Sequence, residues 1–219
     1  MDSQNCCQIF HKSRTHMTEI EPDFDIHPPF EAFYIESMLW HSNSALDAAH
    51  VIGDWIELMA TDDRRALDLP QEKLFEQLQL VVQHAASLSK YFWPICKKGS
   101  HKRRGKKILD ALMTDDSSPL KCRGLRDALE HFDERLDNYL LINQSGVFLP
   151  SEVKVDFEKS EVPLHIFKGF FINPRVFVLL GTEYELAPIV KEVERIHNLL
   201  VGCVNAGYRF PSNQRSELV

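Results

Sequence analysis

The segment SPLKCRGLRDALEHFDERLD, residues 118–137, decides how the chain is read. Ser118 offers a capping oxygen ahead of Pro119, whose fixed φ suits the first turn of a helix. From there Leu125, Leu129, Phe132, Leu136, Tyr139 and Leu140 fall within about 100° of one another at 3.6 residues per turn. The spacing predicts one helix over 119–142 with that stripe in the core. Its opposite side is densely charged and includes Arg126, Asp127, Glu130, His131, Glu134 and Arg135.

Upstream, Phe33, Tyr34, Met38, Ala45, Ala49, Ile52, Ile56 and Met59 recur at helical spacing and predict a long helix over 30–61. A second follows Pro70, with Leu74, Leu78, Val81, Val82, Ala85, Leu88 and Phe92 on one face, and stops at Trp93-Pro94 because proline cannot continue the ladder. Trp40, Trp55 and Trp93 are expected in the core, with His41 and His84 at its edge. Residues 97–107 read as a basic loop, followed by a short helix near 105–114.

Downstream, Val153, Val155 and Phe157 alternate, and 166–172 and 176–180 are short β-prone runs, which predicts a small antiparallel sheet over 147–181. Leu186, Ile189, Val193, Ile196, Leu200 and Val204 then predict a C-terminal helix over 184–206, with Pro188 in its first turn and Gly207 past its end. The expected fold is mainly α: a helical bundle core (30–142), the small sheet and the last helix, forming one domain over 30–219. Residues 1–29 show no sustained periodicity, close with Pro28-Pro29 and read as a loosely ordered tail.

A length of 219 residues with 44% hydrophobic content suits one domain with a sizeable core. No stretch approaches the roughly eighteen apolar residues of a membrane span, and the N-terminus lacks the apolar centre of a signal peptide, so a cytoplasmic protein without a membrane partner is expected. Five cysteines with no C-x-x-C read as reduced thiols. The net charge of −7 is unevenly spread, because KKGSHKRRGKK (97–107) holds seven Lys or Arg and no acid and leaves −14 on the other 208 residues. Lys97, Lys98, Lys102, Arg103, Arg104, Lys106 and Lys107 are therefore candidate phosphate-binding residues, or else a solvated surface.

Histidine moves protons near neutral pH, and the fork of arginine donors holds a phosphate and its developing charge. Arg126 and His131 thus suit phosphodiester transfer. They sit about 140° apart on a regular helix, so the guanidinium must reach across or the helix must bend. Asp127, four residues before His131, is expected to orient the imidazole. One histidine hardly serves as base and acid together, which predicts a homodimer with this helix at or near the interface. No cofactor or metal is expected: there is no glycine-rich phosphate loop, and His50 and Asp54, although i and i+4, lack a third ligand.

In this setting the segment 118–137, on a helix after two long ones, resembles the HEPN superfamily (higher eukaryotes and prokaryotes nucleotide-binding) and looks most like its AbiU2-type bacterial branch. Proteins of that superfamily share a helical bundle and a motif of Arg, then commonly Asn, Asp or His, then His some residues on. Arg126, Asp127 and His131 fill those places. The resemblance covers about 30–142 by helix pattern and implies a metal-independent endoribonuclease, often a toxin or antiviral defence effector, which cuts RNA at a dimer cleft and is paired with an antitoxin protein in toxin systems. The alternative is a non-catalytic helical module that binds RNA or protein.

Overall fold

Apolar faces at helical spacing make the two long upstream helices partners. In the computed structural model, which describes residues 26–61, 70–156, 162–173 and 175–211, α1 is Glu31–Ala60 and α2 is Gln71–Phe92. With 30 residues α1 runs about 45 Å. Its buried Ile35, Met38, Ala45, Ala48, Ile52 and Trp55 share two core clusters with the buried face of α2, from Leu74 to Phe92. The last helix, α6 (Ala187–Asn205), lies along α1 and buries Val193, Ile196, Leu200 and Cys203. It has Pro188 in its first turn, and Gly207 follows it at φ +76°.

Residues 97–107 are a helix over most of their length, not a loop. α3 is Gly99–Ala111, starting earlier than the short helix expected near 105–114. Gly105, Ile108 and Ala111 bury one side, and the charges take the other. A Cβ on Gly105 would lie 2.6 Å from the Phe92 carbonyl oxygen, a close approach to the end of α2 that only glycine permits.

The helix expected over 119–142 is broken. A 3-10 turn at Pro119–Lys121 leads into α4 (Gly124–Glu130) and α5 (Phe132–Ile142), with His131 between them. Ser118 stands at the cap position, but its hydroxyl donates to Glu192 Oε1 at 2.9 Å instead of capping. Of the expected core stripe only Leu125 is fully buried; Leu129, Phe132, Leu136 and Tyr139 are half-buried and Leu140 is exposed. The bend follows a change of packing partner. α4 buries Leu125 and Ala128 beside α2, whereas α5 is tied to the sheet by the Tyr139 hydroxyl, which donates to His165 Nδ1 at 2.8 Å. Lys168 Nζ also sits 4.8 Å from the Phe132 ring centroid.

The sheet is mixed, in the order β1-β2-β3-β4. β1 (Val147–Lys154) runs parallel to β2 (Leu164–Phe171), while β2, β3 (Val176–Leu179) and β4 (Thr182–Glu185) are antiparallel. The antiparallel expectation therefore fails for β1. The parallel register sets Val153 beside Phe170, and both enter the second core. Val155 lies past the strand end, and Phe157 is outside the described residues. β3 is buried on both faces, Phe177 and Leu179 joining the second core and Val176 and Val178 a smaller third cluster.

Trp55 is buried and Trp93 half-buried, but Trp40 is 61% exposed and so is not a core residue. It stands off the buried α1 face of Ile35, Met38 and Ser42 and packs on the ring of His41, centroids 4.7 Å apart. His41 and His84 are half-buried, as expected. Of the expected tail, residues 1–25 are outside the described residues; Ile26 is buried in the first core, and Pro28–Phe30 form a 3-10 turn into α1. Cys96, Cys122 and Cys203 are free thiols, while Cys6 and Cys7 are outside the described residues. Among the described residues no helix is long and apolar enough to cross a membrane.

Candidate functional site

α4 has seven residues and lies beside α2 because Leu125 and Ala128 are buried there. That seating turns Arg126 into a groove of about 360 Å³, lined by Gln79, Gln83, Ser87 and Lys90 of α2 and by Glu130. The Arg126 side chain is only 17% exposed. It donates to Asp127 Oδ1 from Nε at 3.1 Å and from Nη2 at 2.7 Å, and Nε is 3.6 Å from Glu130 Oε2. Nη1 makes no hydrogen bond among the described residues, so part of the donor fork stays available to an anion.

His131 stands at the break, with φ −114° and ψ 34°, and its side chain is 59% exposed. Its amide still donates to the Asp127 carbonyl at 3.1 Å, and its carbonyl accepts from Arg135 at 3.1 Å, so the chain turns there without losing those backbone bonds. The nearest acid to the ring is Glu134, with Oε2 3.9 Å from Nδ1. Asp127, expected to orient the imidazole, is bound to Arg126 instead. The structure thus brings Arg126 and Asp127 together and leaves His131 exposed at the break, outside the residues that line the Arg126 groove.

The basic run divides by role. Lys97, Lys98, Lys102 and Lys106 are exposed, Lys106 being paired with Asp110 at 2.7 Å. Arg103 is half-buried. Arg104 lies 5.9 Å from the ring centroids of Tyr34 and Tyr91 and donates to the Lys90 carbonyl at 3.1 Å. Lys107 is turned inward, 2.6 Å from Glu31 Oε1 and 3.3 Å from the Ile26 carbonyl. Arg104 and Lys107 therefore hold α3 to α1 and α2.

The outward lysines Lys97, Lys102 and Lys106 line a larger groove of about 650 Å³, which Lys121 and Arg123 close from the other side. Phe92, Trp93, Pro94 and Ile95 supply its apolar wall. The Trp93 indole N–H donates to Asp116 Oδ1 at 2.9 Å, and Lys121 Nζ is 2.6 Å from Asp116 Oδ2. The Lys121 ammonium, and then the indole, hold the Asp116 carboxyl below its ordinary pKa. Ser89, Leu120 and Arg123 also line a narrow cleft that contains Arg126, so the large groove opens toward the arginine.

Lys90, Lys121 and Arg123 are the residues that sequence reasoning missed. Two of them lie in the opening segment, where Lys121-Cys122-Arg123 reads as the start of a helix and not as a groove wall. A separate apolar pocket of about 220 Å³, between α1, α2, β2 and α6, contains none of the candidate residues. His50 and Asp54 are both exposed on α1, and no group of three or more metal-ligating side chains exists among the described residues. Compared with models of protein families, with curated proteins and with solved structures, the chain matches none.

Proposed function

We propose that this chain is an endoribonuclease of the HEPN type, acting as a homodimer in the cytoplasm as a toxin or antiviral defence effector held in check by an antitoxin protein. The observation that supports it most is that Arg126 and His131 are not used up inside a core. Arg126 lines a groove with donor capacity to spare, and His131 is exposed at a helix end. In the reaction His131 removes the proton from a ribose 2′-hydroxyl, and the 2′-oxygen then bonds to the adjacent phosphorus. The bond to the 5′-oxygen breaks, and that oxygen takes a proton from the His131 of a second copy. Arg126 holds the phosphate and offsets the charge that builds on its free oxygens. The resemblance to HEPN proteins implies that side chains alone carry these steps.

The test is purified protein with labelled mixed-sequence RNA and a chelator. Wild type is expected to leave 2′,3′-cyclic phosphate ends, and His131→Ala and Arg126→Ala to lose at least about a hundredfold in rate while melting like the parent. Cleavage unaffected by His131→Ala, or none by the wild type, sinks the enzyme reading. A second reading, a non-catalytic helical module, is favoured by the Arg126 ion pairs to Asp127 and Glu130, which also suit a structural network.

A further inference from the structure

The larger groove at the end of α2 has a chemistry that cleavage at Arg126 and His131 does not by itself require. Five cationic residues line it and no acidic ones do. Lys106 and Lys121 each have an acid partner, Asp110 and Asp116, but Lys97, Lys102 and Arg123 form no ion pair among the described residues. Between them the wall is apolar: Ile95 is 72% exposed, and Trp93 is fixed by its bond to Asp116. A ligand that satisfies both surfaces carries regularly spaced negative charges and flat apolar groups alternating with them. A single-stranded nucleic acid does so, because its phosphates meet the lysines while its unstacked bases lie on aromatic and aliphatic side chains. A duplex offers only phosphates, since its bases are already stacked on one another.

We infer that this groove, with Trp93 in its wall and Lys97, Lys102 and Arg123 on its rim, binds a single strand of RNA and leads it to Arg126. The choice of RNA and of direction rests on the ribonuclease reading, whereas strand binding does not need cleavage. Arg123 is the link, lining both the large groove and the narrow cleft that contains Arg126. The cationic surface thus spans α3 with the residue Lys97 just before it and the segment before α4, and the strand lies across the end of α2 between them.

The experiment uses the full chain carrying His131→Ala, so that the strand stays intact. The probes are a fluorescein-labelled 12-nucleotide RNA of mixed sequence, the same RNA as a duplex, and a peptide of alternating Glu and Phe. Anisotropy should show the single strand binding at least tenfold tighter than the duplex or the peptide. Lys97→Glu, Lys102→Glu and Arg123→Glu together should weaken it at least tenfold. They should also reduce the slope of log affinity against log salt by about 2, three phosphate contacts at about 0.7 each.

Trp93→Leu should weaken binding about fivefold with the slope kept, and Trp93→Phe should restore most of it. Equal binding of the duplex or the peptide, no binding of the strand, or parental affinity in the triple variant would overturn the inference. If the strand binds here and wild type cuts nothing, only the ribonuclease reading fails. If wild type cuts RNA, and the three substitutions leave binding unchanged on the His131→Ala background and cleavage unchanged on the wild-type background, only this groove fails.

Discussion

Arg126 donates from Nε at 3.1 Å and from Nη2 at 2.7 Å to a single oxygen, Oδ1 of Asp127, its neighbour in sequence. A phosphate has to compete with that carboxylate for the same edge of the guanidinium. Asp127→Asn keeps the shape and an acceptor oxygen but removes the charge. Affinity for single-stranded RNA is therefore expected to rise a few-fold, read by anisotropy on the His131→Ala background. The pair is partly solvated, so the melting temperature should hardly move. A loss of affinity would mean that Asp127 serves to present Arg126 rather than to occupy it.

Lys107 separates structural from ligand-binding charge within the basic run. Glu31 is buried and accepts from Lys107 Nζ at 2.6 Å and from the Phe210 amide at 3.0 Å, joining α1, α3 and the segment after α6. Removing one partner of such a pair strands the other charge. Lys107→Met should cost about 3 kcal/mol in urea unfolding and leave RNA affinity unchanged. Lys102→Glu should do the reverse.

The bend at His131 depends on α5 staying on the sheet. His165 is buried, with Nε2 donating to the Ser145 carbonyl at 2.9 Å and Nδ1 accepting from the Tyr139 hydroxyl at 2.8 Å. Tyr139→Phe leaves that nitrogen without its donor, at a cost of about 1–3 kcal/mol in chemical unfolding. It should also slow any cleavage, because His131 is then less firmly placed.

Gly146 sets the other side of the same contact. At φ +127° it lies where a Cβ would come within 2.5 Å of the Pro163 carbonyl oxygen and 2.9 Å of the His165 ring. Gly146→Ala is therefore expected to destabilise more than Tyr139→Phe in the same unfolding measurement. An equal or smaller loss would show that the turn has room to relax.

Acid should loosen the pairing of α1 with α2. His41 Nδ1 and His84 Nδ1 are 3.2 Å apart, so one ring donates and the other accepts. Burial, then His84, then Lys90 lower the pKa of His41, and burial lowers that of His84. Trp40 and Tyr91 pack against the pair and bring no compensating acid. The folded state thus takes up these protons less readily than the unfolded chain, whose histidines titrate near 6.5. The stabilising difference is present above that value and is lost as pH falls through the lowered folded values. The urea midpoint should drop from about pH 7 to about pH 5, and less so in His84→Gln.

Much of the fold was legible because it is local. Leu74 through Phe92 state the period and the ending of α2 in their own order, and Pro188 with Gly207 brackets α6. The sheet was legible as short β-prone runs but not in its pairing, because strand direction depends on which distant strand lies alongside. In the site, the residue types Arg126 and His131 could be read, and so could their separation around a regular helix, which left open whether the guanidinium reaches across or the helix bends. The partners could not: Asp127 stands four residues before His131, the spacing of a shared helix face, yet its carboxylate binds the adjacent Arg126.

What the sequence by itself determined is the set of amphipathic segments, the segregation of positive charge and the chemistry available at 126–131, since each depends on residues a few positions apart. Only the tertiary structure decided where the segment 118–137 breaks. No proline or glycine interrupts Leu125 to Asp137, and the spacing alone supports one helix. The helix ends at His131 because Leu125 and Ala128 are buried beside α2 while Tyr139 reaches His165 on β2. Those partners lie tens of residues away in the sequence, one on α2 and the other on the sheet.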